Sequence, residues 1–447
     1  MTLIPQFGGV IWTIAAFIIA LSIIVAIHEY GHYIVGRWSG IQADVFSIGF
    51  GPVLYSRVDR RGTRWQIAAL PFGGYVKFAG DANAASGKDE AAMAEAAQDK
   101  ARLRATMHGA PLWARAATVA AGPVFNFVLS ILIFAAVLLS AGVSRDPLTV
   151  GEVRALPVGE LGLQAGDEIV RIGGDTLPST EDQDAYRAFL DGLPHAPLLA
   201  YEVRRDDQVI SVDGPYLMPP LVSAVSPQSA AIAAGMAAGD VIVAVDGQDI
   251  FAFDQLKTVV EGGNGATLDL TVWRDGETIE KSLTPKRVDE PQDDGGFVTQ
   301  WRIGIAGGLA FEPARENPGI AEALSGGVTQ TWRIITGSLS GLGHMITGAI
   351  STCNLSGPIG IAETSGEMAS QGLERFIWFI AVLSTAVGLL NLFPVPALDG
   401  GHLVFYAYEA VVGQPPSDKA LRILMSFGLA LVLTLMVFAL FNDIFCP

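Results

Sequence analysis

Cysteine and basic charge are what this chain of 447 residues has least of. Its two cysteines, Cys353 and Cys446, are too few for a cysteine-based metal cluster or a disulfide framework, and neither stands in a CxxC pair. Any metal must then be held by histidine and carboxylate. Lys and Arg number 28 against 45 Asp and Glu, a formal net charge of -17, so no global basic field exists to gather nucleic acid, and nucleic-acid binding is excluded. Apolar bulk stands in place of charge: 50% of the residues are hydrophobic and the mean hydropathy is +0.41. That is too apolar for an ordinary soluble protein of this size and implies a membrane protein carrying soluble modules.

Four runs, roughly 12–35, 119–143, 376–393 and 423–441, are long enough to cross a bilayer, which takes about 20 residues. The first lacks a basic leading region and a small-residue cleavage site, so it is expected to be retained and not removed as a signal peptide. Trp12 and Trp38 suit interfacial anchors, about 39 Å apart at the helical rise. Arg37, Arg57, Arg60, Arg61, Arg64, Lys77, Lys100, Arg102, Arg104 and Arg115 all fall between the first two runs, which places that loop in the cytoplasm. Both termini and the acidic segment after the second run are then outside, and Lys419 and Arg422 agree with a cytoplasmic loop after the third.

Inside the first run stands His28-Glu29-Tyr30-Gly31-His32. Residues four apart share a helix face, so the two imidazoles can serve one metal ion while Glu29 addresses a water. A charge at the centre of a span costs roughly 2.5 to 3.5 kcal/mol on insertion scales, so such residues usually serve a function. By the helical rise His28 lies about 15 Å from Trp38, within the hydrocarbon. The third run ends in Asn391-Leu392-Phe393-Pro394-Val395-Pro396-Ala397-Leu398-Asp399-Gly400-Gly401-His402. Its prolines break the helix, and Asp399 can complete three protein ligands for a zinc that keeps a position for water. His402 is the competing ligand.

Residues 43–78 read as β-hairpins, with Gly, Pro and an Asp-Arg-Arg-Gly turn between apolar stretches. Strands at membrane depth need protein or a wet cavity to satisfy their backbone, which places them against the metal helix, where an exposed edge can pair with an extended peptide. A cytoplasmic hairpin that merely caps the helices is the alternative. Residues 82–110 suit a helical or flexible connector, and Ala121-Gly122-Pro123-Val124-Phe125-Asn126 suits close helix packing, with Asn126 either part of that packing or hydrogen-bonded across the bundle. Farther on, Ala165-Gly166-Asp167-Glu168-Ile169-Val170 repeats as Ala238-Gly239-Asp240-Val241-Ile242-Val243, each followed by strands with an Arg-Asp turn, at Arg205-Asp206 and Arg274-Asp275. This repeat resembles tandem PDZ domains, which offer a groove for peptide or protein ligands. Residues 318–350 suit one or two amphipathic helices, with His344 interfacial.

The HExxH motif, Gly49-Phe50-Gly51, the "AGPVFN" stretch, the tandem repeat, "NLSGP" at 354–358 and "NLFPVPALDGGH" at 391–402 together resemble the site-2 protease family of intramembrane zinc metalloproteases, in its RseP-like bacterial members, across essentially the whole chain. The resemblance implies that His28, His32 and Asp399 bind one Zn2+, that Glu29 activates water, and that Asn391 helps to hold substrate backbone, with extended pairing against Gly49 and Gly51. It implies regulated intramembrane proteolysis of single-span proteins, typically anti-sigma factors already shortened by another protease, sometimes remnant signal peptides, in the bacterial inner membrane. Partners are then those substrates, ligands of the PDZ grooves and membrane lipid. A metal transporter would show inverted repeats and broken helices in both halves, and a PDZ scaffold would not need Glu29.

The expected fold is a multi-span α-helical membrane protein with four transmembrane helices, membrane-associated β-hairpins and two external PDZ-like α+β domains. Its layout runs 1–36 (first span), 37–112 (β region and cytoplasmic loop), 113–145 (second span), 146–215 and 216–290 (the PDZ-like pair), 291–372 (linker and amphipathic helices), 373–402 (third span) and 403–447 (loop and fourth span).

Overall fold

The four apolar runs form long helices, Leu3–Trp38, Leu112–Ala141, Leu373–Leu392 and Asp418–Phe445, each long and apolar enough to cross a membrane. The computed structural model describes residues 3–83, 87–159, 161–180, 182–292 and 296–446. Those within 1–137, 320–343 and 352–446 form one compact unit, and those within 138–319 and 344–351 form the other.

In the first unit the first helix meets the second closely at Gly31. A Cβ on Gly31 would come within 2.5 Å of the Ala121 carbonyl oxygen. Pro123 lies inside the second helix, which continues through it to Ala141. The strands β1 (Ala43–Val58) and β2 (Arg64–Phe78) fold back on themselves. Phe46 pairs with Val76 on one side and with Trp65 on the other, while Tyr55 and Ser56 pair with Ile67 and Gln66. The first half of β1 is therefore interior, and the sheet's edges are the last residues of β1 and of β2.

The 82–110 connector is more ordered than its polarity suggests. Asp89 and Asp99 cap helices Glu90–Ala96 and Lys100–Arg104. Met107 and Ala110 are buried with Tyr33, Phe46 and Phe78. The apolar residues at its end thus fold it back onto the hairpin.

The third helix stops at Leu392, and a separate helix, Asp399–Val412, begins at the aspartate. The 373–402 segment is therefore not one continuous span, because Pro394 and Pro396 lack the N–H groups that would continue it. A second departure concerns the cysteines: Cys353 and Cys446, 93 residues apart, form a disulfide. Beside it, Asp443 accepts hydrogen bonds from the backbone N–H groups of Gly357 (2.7 Å), Ile359 (3.0 Å) and Gly360 (3.1 Å), capping helix Pro358–Ser370.

In the second unit the sequence repeat returns as two four-stranded sheets of matching order. One runs 175–176, 168–172, 198–205, 208–215, and the other 248–249, 241–245, 268–274, 277–283, with helices Gln183–Gly192 and Phe253–Gly262 at equivalent places. The repeated aspartate has the same partner in both copies. Arg205 grips Asp167 through two hydrogen bonds of 2.7 Å, and Arg274 grips Asp240 at 2.5 and 2.7 Å. Burial alone would raise the Asp167 carboxyl, but the Arg205 hydrogen bonds, the Gln164 N–H and the Arg205 charge together outweigh it and hold the group below its usual value. Residues 320–347 form one helix, and the His344 ring rests 4.9 Å from that of Phe297.

Candidate metal centre

One helical turn separates His28 from His32, and their Nε2 atoms face each other at 3.1 Å. Asp399, first residue of its helix, brings Oδ2 to 3.1 Å from His28 Nε2 and 3.5 Å from His32 Nε2. Ligands about 2.0 to 2.1 Å from a tetrahedral zinc stand roughly 3.3 Å from one another, and the three observed separations bracket that value. Asp399 Oδ2 is buried and makes no hydrogen bond, so its lone pairs are free in the volume the two imidazoles share. Two nitrogens and one carboxylate oxygen are a donor set that suits zinc.

The surroundings make room for a small ion. A Cβ on Gly122 would fall 2.3 Å from His32 Nε2 and 2.8 Å from His28 Cε1, so only glycine lets the second helix pass this close. His32 Nδ1 lies 2.9 Å from the Thr118 carbonyl oxygen, to which it can donate, leaving Nε2 bare for a metal. Glu29, half-buried, sits beside the end of β2, where a Cβ on Gly74 would lie 3.2 Å from its Cγ.

Among the described residues, His28, His32 and Asp399 are brought together as potential ligands and His402 is not; its ring packs near Phe405, 6.0 Å between centroids. The Asn391 amide donates to the Val387 carbonyl oxygen of its own helix at 3.0 Å. Gly49 and Gly51 take positive φ of 88° and 83°, and a Cβ on Gly49 would meet two carbonyl oxygens within 2.9 Å, so both shape the turn that closes the interior part of β1. The sequence allows Asn126 a hydrogen bond across the bundle, but it does not reveal that its partner is His28 or that Gly122 opposes the two imidazoles. The signal of Gly122 and Asn126 was present in "AGPVFN": the two residues are four apart and share the face turned to the first helix.

A His-Glu-x-x-His on a helix apolar enough to cross a membrane, joined by a distant aspartate just past the end of another such helix, defines a membrane-embedded metallohydrolase. Peptidase family M50 matches residues 16–435, and the chain belongs to that family. A protein of Agrobacterium fabrum named as a zinc metalloprotease is 36% identical over 446 residues, covering 99% of this chain and 98% of the relative. One of Rhizobium meliloti, so named as well, is 37% identical over 434 residues (97% and 96%). The regulator of sigma-E protease RseP of Salmonella typhimurium is 34% identical over 462 residues (97% and 99%). This chain is a zinc metalloprotease with membrane-crossing helices.

The close approach at Gly122 has a measurable consequence. Gly122→Ala is expected to push His32 aside and strip most of the zinc from purified protein while helical content stays unchanged. Full metal occupancy in that variant, measured by elemental mass spectrometry, would contradict the crowding.

Proposed function

We propose that the protein cleaves the transmembrane segments of single-span membrane proteins, with zinc held by His28, His32 and Asp399. The observation that carries this reading is the donor triangle that Asp399 completes with two histidines of a membrane-crossing helix, with Glu29 one residue from His28. Zinc supplies a Lewis acid that acidifies water to a pKa near 7 and polarises the scissile carbonyl. Glu29 takes the proton of the attacking water and delivers it to the departing amine. Asn391 holds the substrate backbone.

A helical substrate hides its amides in internal hydrogen bonds and has to unwind before attack. The hairpin supports that step. Its Gly74–Phe78 edge runs beside Glu29, Gly49 and Gly51 shape the adjoining substrate surface, and an added extended strand would expose its carbonyls. Exposed Val53, Leu54 and Tyr55 on the hairpin support its association with the membrane. The two similar sheets support a PDZ-like pair between residues 149 and 285, and the resemblance to the Salmonella protease supports anti-sigma-factor-type substrates in a bacterial inner membrane.

The direct test is cleavage of a single-span substrate by purified protein in lipid nanodiscs, with the product ends mapped by mass spectrometry. Zinc-dependent cuts inside the apolar segment are expected, and cuts confined to its flanks would defeat the proposal. Orientation has a separate check. Basic residues after the first helix face the cytoplasm, while the Cys353–Cys446 bond suits an oxidising exterior. After mild reduction of spheroplasts an impermeant maleimide should reach Cys353 and Cys446. A cysteine at Arg61, in a chain lacking those two, should stay unlabelled until the cells are broken. Labelling of the Arg61 site in sealed cells would reverse the orientation.

A further inference from the structure

For both histidines to direct Nε2 lone pairs at one metal, each ring must carry its proton on Nδ1, and each Nδ1–H needs an acceptor. His32 has one in the Thr118 carbonyl. His28 Nδ1 lies 3.2 Å from the side-chain amide of Asn126, on the second helix.

Asn126 is wholly buried, and its Oδ1 has no hydrogen-bond partner. A residue there for packing alone would be apolar, since a polar group in such a place is costly unless it is paired. The two ends of an amide have nearly the same shape, so the chemistry of the neighbour selects which end faces the ring. Opposite a protonated Nδ1 it is the carbonyl, which gives Oδ1 its partner. The residue's backbone is pinned as well. Its carbonyl oxygen accepts from Ser130 Oγ and from Ser384 Oγ, both at 2.9 Å, the latter on the third helix. A Cβ on Gly388 would lie 3.2 Å from the Asn126 Cβ. The amide is thus set at the junction of the helix that bears His28 with the one that leads to Asp399.

We infer that Asn126 is a positioning residue of the metal centre: its side-chain carbonyl accepts the Nδ1 proton of His28 and holds that ring with Nε2 toward the zinc. The inference rests on the proposed ligand set, and the experiment separates the two. Zinc affinity is measured by chelator competition on the purified full-length chain and on Asn126→Leu, Asn126→Asp and His28→Ala. Loss of a hydrogen-bond partner behind a metal ligand typically weakens binding roughly 10- to 100-fold, and that is the expected loss for Asn126→Leu, which keeps the volume and removes the acceptor. Asn126→Asp retains an acceptor and is expected to stay within a few-fold of the parent. Wild-type affinity in Asn126→Leu, or equal losses in Leu and Asp, would overturn the inference while His28→Ala still loses zinc. Unchanged zinc in His28→Ala would instead overturn the ligand set. A measurement that needs no Asn126 variant is 15N NMR of histidine-labelled, zinc-loaded wild type. The His28 ring proton is expected on Nδ1, and finding it on Nε2 would overturn the inference.

Discussion

Glu29→Gln is expected to leave zinc at the wild-type level and to slow peptide cleavage by roughly 10²- to 10⁴-fold, the usual contribution of a positioned acid or base. Glutamine keeps the length of the side chain, and Glu29 is not among the three residues whose donor atoms converge, so the metal should stay. What the substitution removes is the carboxylate proposed to take a proton from water and return it to the leaving nitrogen. Zinc per chain by elemental analysis and single-turnover cleavage of a nanodisc-embedded substrate give the two readouts. Near-normal cleavage by the zinc-loaded variant would remove Glu29 from the chemistry, and loss of zinc would make it a ligand or a support of one.

His28→Ala, His32→Ala and Asp399→Ala should each do the opposite, taking zinc content from about one per chain toward zero along with activity. A catalytic zinc typically has three protein ligands, so removing one leaves two where three are needed. His402→Ala is the informative control. His402 lies in the same motif but outside the donor triangle, so zinc should remain bound. Full occupancy in Asp399→Ala would sink the proposed set, and loss of zinc in His402→Ala would bring that histidine into it.

Much of this centre was legible because its parts are local. His28 and His32 point the same way because the helical repeat puts residues four apart on one face. Asp399 could be suggested because two prolines just before it end a helix, although the new helix that starts at the aspartate showed only in the fold. "AGPVFN" was legible as a packing motif with an asparagine able to hydrogen-bond across the bundle, but its partner was not. Small residues announce that helices approach, but not which residue of the partner helix they meet. That Gly122 opposes the two imidazoles, and that Asn126 reaches His28 across 98 positions of sequence, depends on where the two helices cross. The repeat showed the same division. Ala-Gly-Asp and Arg-Asp were visible as separate recurring signs, and the structure joined them as one ion pair between a buried aspartate and a partly exposed arginine in each copy.

The sequence by itself determined the quantities that depend on near neighbours along the chain: four apolar runs, the helical spacing of the two histidines, and the duplicated strand pattern. Hydropathy and backbone periodicity set these whatever the rest of the chain does. Only the tertiary structure decided the meetings between distant segments. It placed Asp399 against the histidines, bonded Cys353 to Cys446 over 93 residues, and turned β1 inward so that the end of β2 forms the edge beside Glu29. Contacts of that kind follow from packing shapes and helix crossings, which many sequence positions settle jointly and no single stretch encodes.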